Sequence, residues 1–314
     1  MDKKEIRSGS AGINREVKSG TSRIGGEDKK RIIEKIVVVL VLGYGLHYLG
    51  YSIRTRYYDL LGSMALDEGL AHALLYLGHL IFFAIMMIYA WAVPQDRRYF
   101  FSFRKGSAAD KLKYGALGIL TGAFLMGACV FAASMHGDIE IKGSSGGNPA
   151  ILLFALVCVF LQSTVEEIEG RGFIFGKMHS EGVPLIPAII ASSMFFSFIH
   201  INNPGFGLIP FTNVFLFGVL SALSYYYFNN LWFAMMTHMT WNYMQDFLFG
   251  LPDSGHPAAI SFMNTIVHSS GFFYDKDFGI EGSCMATIMQ LFGCLLVILI
   301  GRLCIKKEEG LKSP

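Results

Sequence analysis

The chain has 314 residues, of which 53% are hydrophobic and only 16% charged, with a net charge of +2 and a mean hydropathy of +0.44. Soluble domains run nearer a quarter charged, so the composition excludes a soluble globular protein and points to an all-α polytopic membrane protein. The near-neutral charge gives no reason to expect a nucleic-acid partner; membrane lipids are the expected surroundings.

The first stretch, 1–32, is polar and Gly/Ser-rich, and carries nine Lys and Arg between Lys3 and Arg31. It has no apolar run that fits a cleavable signal peptide and reads as a disordered cytoplasmic tail. About eight windows then follow that are long enough to cross a ~30 Å hydrocarbon layer as helices. They lie near 33–53, 69–93, 114–134, 149–179, 185–202, 206–228, 231–250 and 285–305. The expected division is a tail over 1–32, N-terminal transmembrane helices over 33–148, a polar-studded core over 149–255, and an outer loop, last helix and cytoplasmic C-terminal tail over 256–314.

The basic residues set the expected orientation. The connection "PQDRRYFFSFRKGSAADKLK" holds six Lys and Arg, whereas "MHGDIEIKGSSGGN" holds one and the 251–284 connection only Lys276. By the positive-inside rule both termini are cytoplasmic, in a multi-pass protein of the cell membrane. Arg54 and Arg56, in the expected first outer loop, run against this count. The five cysteines (129, 158, 284, 294 and 304) lie in or beside apolar runs without metal-ligand spacing and read as packing residues.

Three polar constellations interrupt the apolar windows. In "QSTVEEIEGRGF" an ionised side chain costs roughly 2.5 to 3.5 kcal/mol at the centre of a membrane helix. Glu167 and Arg171, four apart, share a helix face and can offset that cost as an ion pair. Glu166 lies ~100° round the helix and lacks that partner. Gly170 at i+4 leaves room beside its carboxylate, which suits a general base, and Glu169 reads as an interfacial charge. In "SSMFFSFIH" Phe196 and His200 share a face, and in "THMTWN" His238 and Asn242 do. At ~1.5 Å rise per residue all these groups converge in depth, provided the fourth helix runs on past Gly172 to about His179.

The patterns EExxxR, FxxxH and HxxxN, in this order on three separate membrane spans, resemble those of the CAAX protease and bacteriocin-processing (CPBP, or Abi) intramembrane endopeptidases, in particular the bacterial branch. The resemblance covers roughly 150–255. It implies a CAAX-protease-like helical core with a cavity open to the cytoplasm and to lipid, and an endopeptidase acting on membrane-associated, prenylated or leader-peptide substrates. It implies that Glu166 and His200 activate water, that His238 and Asn242 stabilise the oxyanion, and that Glu167, Arg171 and Phe196 brace the site. Gly170 departs from the family, which often has an aromatic residue before the arginine. No cofactor is expected and a metal-free glutamate mechanism is favoured; if zinc takes part, Glu166, His200 and His238 are its ligands. A secondary transporter and a non-catalytic bacteriocin-immunity type protein are the alternative readings.

Overall fold

A computed structural model describes residues 26–310, with side chains from 27 to 303. The expected tail therefore lies outside the described residues up to residue 25. The first helix, α1 (Gly26–Ser63), begins well before the expected 33 and runs past Arg54 and Arg56, so both arginines are helical rather than in a loop. It is followed by α2 (Glu68–Ala92), a run of short helical turns over 94–104, and α3 (Ala108–His136), which opens on a Ser107–Asp110 capping box. Then come α4 (Pro149–Ser180), α5 (Leu185–Phe198), α6 (Leu208–Phe228), α7 (Trp232–Tyr243) and α8 (Cys284–Gly310).

Among the described residues six of these helices are long and apolar enough to cross a membrane. The windows expected at 185–202 and 231–250 form shorter helices, α5 and α7, the latter carried on by a π-helical turn at Met244–Leu248. The protein is an all-α polytopic membrane protein, with apolar side chains such as Val41, Leu120, Phe131 and Leu299 turned outward. Cys129, Cys158 and Cys294 are buried in the packing, while the side chain of Cys304 lies outside the described residues.

One element was not expected. The strands β1 (Ile139–Ser144) and β2 (Met263–Val267) pair antiparallel, Ile139 opposite Val267, with an irregularity between Lys142 and Ser144. They join the α3–α4 connection to the long connection before α8, and so mark one end of the bundle. The opposite end carries the 94–104 turns, the α4–α5 connection and the α6–α7 connection.

Two contacts position the later site. Glycines on α3 let α7 approach at backbone distance: a Cβ on Gly118 would come within 2.5 Å of the Phe233 carbonyl oxygen, and one on Gly122 within 2.7 Å of that of Thr237. Small residues at such crossings are the usual means of close helix packing in membranes, and Thr237 adds a hydrogen bond to the Gly118 carbonyl at 3.2 Å. His238 is thereby fixed on the face of α7 turned away from α3. Buried Asn213 donates to the carbonyls of Glu281 and Ser283 at 2.7 and 2.8 Å and accepts from Thr287 at 2.6 Å, tying the start of α8 to α6.

Candidate active site

The helix α4 does continue through Ser180, and its Ile168–Phe175 segment is π-helical. Such a segment offsets the i, i+4 ladder and is often found at functional sites. Within it the side chain of Arg171 is fully buried. Its NH1 lies 3.0 Å from Oε1 of Glu167, itself fully buried, and its guanidinium sits over the Phe196 ring at 4.2 Å from the centroid. Phe196 also meets the rings of His200 and His238, at 4.9 and 5.9 Å between centroids. This ring is the common wall between the arginine and the two histidines.

The same Glu167 Oε1 accepts from His238 Nδ1 at 2.9 Å. Nε2 of His238 thus turns to Glu166, whose Oε2 lies 3.8 Å away. His200 spends its Nδ1 on the Phe196 carbonyl at 2.7 Å, leaving its Nε2 available. Asn242 reaches Gln162 Oε1 through a long 3.4 Å contact, weak enough for its amide to be redirected.

Glu166 has partners the sequence reading did not assign. Gln162 Nε2 donates to its Oε1 at 2.7 Å, and His79 Nε2 lies 3.1 Å from the same oxygen. Its Oε2 accepts no hydrogen bond among the described residues. His79 is held in turn by Arg54 NH1 at 3.1 Å and, through Nδ1, by the Tyr76 carbonyl at 3.1 Å. The Arg54 guanidinium lies over Tyr51, Tyr58 and Phe82 at 5.1 to 5.4 Å. Gln162 was legible, since it shares a helix face with Glu166 at i−4; His79 and Arg54, on distant helices, carried no periodic signal.

Glu169 corrects an expectation. It is buried, and its carboxylate faces His47 Nδ1 on α1 at 3.1 Å, so it is an interhelical pair rather than an interfacial charge. Space does exist at Gly170, where a Cβ would meet nothing within 4 Å, and the Gly170 carbonyl accepts from Ser192 at 2.9 Å.

Glu166, His200, His238 and Asn242 all face one cavity of about 540 Å³. Its walls also include Arg54, His79, Asn202, Asp253, His256 and Glu281. The cavity reaches toward the β1–β2 end, opposite the six basic residues of the 94–113 connection. The depth count holds: α4 runs on through Ser180, and the four groups meet in this one cavity.

A second polar chain lines the same cavity. His72 Nε2 lies 2.6 Å from Asp246 Oδ2, and the Tyr76 hydroxyl lies 2.6 Å from that oxygen and 2.8 Å from Asp253 Oδ2. A phenol has one proton, so it can donate to only one carboxylate. The other contact needs a proton on the second carboxyl. Burial, with the negative charges of Glu281 and Asp246 nearby, pushes the Asp253 carboxyl well above the usual carboxylate range.

Zinc would bind nitrogen and carboxylate donors at about 2.0 to 2.2 Å in a tetrahedral set. Among the described residues no group of three or more His, Cys, Asp or Glu is placed to hold a metal ion. Glu166, His200 and His238 as they stand do not form such a set.

Residues 148–244 match the family model described as type II CAAX prenyl endopeptidase Rce1-like. The match contains all seven residues of the three motifs, so this segment is similar to the CAAX-protease (CPBP) family. No curated protein and no solved structure matches the chain.

Proposed function

We propose that the protein is an intramembrane endopeptidase that hydrolyses a peptide bond of a membrane-associated substrate with water activated by Glu166. The observation that carries this reading is the Glu166 carboxylate, one oxygen hydrogen-bonded and the other accepting no hydrogen bond among the described residues, set in a cavity wall between His79 and His238.

The chemistry needs a base for water and donors for the oxyanion, both of which are stronger out of bulk water. Glu166 Oε2 takes a proton from water oriented by His200 Nε2, and the hydroxide attacks the amide carbon. His238 Nε2 and the Asn242 amide donate to the oxyanion. The proton on Glu166 then passes to the departing nitrogen as the carbon–nitrogen bond breaks. Glu167 and Arg171 are positioning residues: they hold His238 with Nε2 toward the reacting atoms.

The protein belongs in this reading to the cell membrane, with both termini cytoplasmic. Its partners are lipids and a peptide substrate. The reading is metal-free, and it is tested by treating active purified protein with a strong chelator. Unchanged cleavage is expected. Loss of cleavage that added zinc restores would move Glu166, His200 and His238 from water activation to coordination.

A further inference from the structure

We propose that the cavity is fed from the outer face of the membrane, so that the natural substrate is a peptide segment displayed there and not a tail in the cytoplasm. The proposal rests on the peptidase reading above for the word substrate, and on the structure for the side.

The two ends of the bundle differ in charge. One carries Arg97, Arg98, Arg104, Lys105, Lys111 and Lys113 in a single connection, joined by Lys177 at the end of α4. The other is acidic, with Asp138, Glu140, Asp253, Asp275, Asp277 and Glu281 against Lys142 and Lys276 in the same connections. Short connections rich in Lys and Arg stay cytoplasmic, so the acidic end faces out. The cavity is lined by Asn202, Asn203, Asp253, Ser254, His256 and Glu281 from that acidic end, and by no residue of 94–113, 177–184 or 229–232.

The basic end is also closed. Beneath the Glu167–Arg171 pair, fully buried Phe173 stacks on fully buried Phe100 with centroids 4.6 Å apart. The turn holding Tyr99 and Ser102 lies so close to Gly172 that a Cβ there would come within 2.8 Å of the Tyr99 carbonyl oxygen. Lys177 meets Asp96 at 2.6 Å, Tyr89 donates to the same carboxylate at 2.7 Å, and Trp232 Nε1 donates to the Phe103 carbonyl at 2.9 Å. Entry from the cytoplasm would require this floor to be taken apart, whereas the acidic end presents exposed Asn202 at the cavity wall.

Single cysteines in a background lacking the five native thiols test this with a membrane-impermeant maleimide on intact cells. Asn202→Cys and Thr55→Cys report on the cavity wall, Glu140→Cys on the acidic end and Ala109→Cys on the basic end. Asn202→Cys, Thr55→Cys and Glu140→Cys are expected to label in intact cells, and Ala109→Cys only after permeabilisation. If the cavity cysteines label only after permeabilisation, or under neither condition, the proposal is overturned in favour of entry from the cytoplasm or from lipid. Labelling needs no turnover, so it stands or falls separately from the peptidase reading, which fails instead if Glu166→Gln cleaves as fast as wild type.

Discussion

His238 Nδ1 and Arg171 NH1 converge on one oxygen, Oε1 of Glu167, at 2.9 and 3.0 Å. A single buried carboxylate thus fixes the orientation of the His238 ring and sets which nitrogen it turns toward Glu166. Glu167→Gln keeps the shape but can offer an amide N–H where His238 needs an acceptor. Cleavage is expected to fall by about 10²–10⁴-fold, the range of a lost acid–base contribution, with the protein still folded in membranes. A rate within threefold of wild type would mean that His238 is oriented by something else.

Arg171 is the counterpart. Removing it strands Glu167 in a fully buried place and takes the cation from beneath the Phe196 ring. Breaking a buried pair from one side costs about 3–5 kcal/mol, so Arg171→Ala is expected to lower the unfolding temperature and the membrane yield sharply. Arg171→Lys should recover only part, because an ammonium cannot lie flat on the ring. An Arg171→Ala protein as stable as wild type would contradict this assignment.

The shared proton of Tyr76 and Asp253 makes stability depend on pH. Asp253 is pushed up in the folded protein, so above the unfolded value of about 3.9 the folded state holds more protons than the unfolded one. Stability attributable to this group then falls as pH rises from there through the raised folded value. Asp253→Asn, which can donate to the Tyr76 hydroxyl at every pH, is expected to flatten that slope and to raise thermal stability at neutral pH. An unchanged slope in unfolding temperatures measured from pH 4 to 8 would refute the shared proton.

How far the sequence carried these conclusions depends on the distance between partners along the chain. Glu167 with Arg171, Phe196 with His200 and His238 with Asn242 are each four apart, so helix periodicity put each pair on one face before any fold was known. Gln162 obeys the same rule beside Glu166, but an uncharged amide in an apolar helix is a weaker signal than a charge. His79, His47 and Arg54 reach the site from helices far away in sequence, where only packing brings them, and no spacing could reveal them. The strands were legible in part, since "IEIK" alternates with a period of two, but its partner lies over a hundred residues later. Charge counting supplied an orientation for the ends of the helices and could not say which end holds the cavity, because that depends on how the 251–283 connection folds back over the bundle.

The most direct test of the central claim is the hydrolysis rate of Glu166→Gln. Comparing membranes from cells carrying the intact chain and the Glu166→Ala protein by mass spectrometry would first identify a peptide shortened only by the intact chain. That peptide is then incubated with purified wild type and Glu166→Gln, matched for folding by unfolding temperature. Glutamine keeps the shape and can still contact Gln162 and His79 but cannot take a proton from water, so cleavage is expected to fall at least a thousandfold. Cleavage by Glu166→Gln within tenfold of wild type would contradict Glu166 as the base and with it the proposed mechanism.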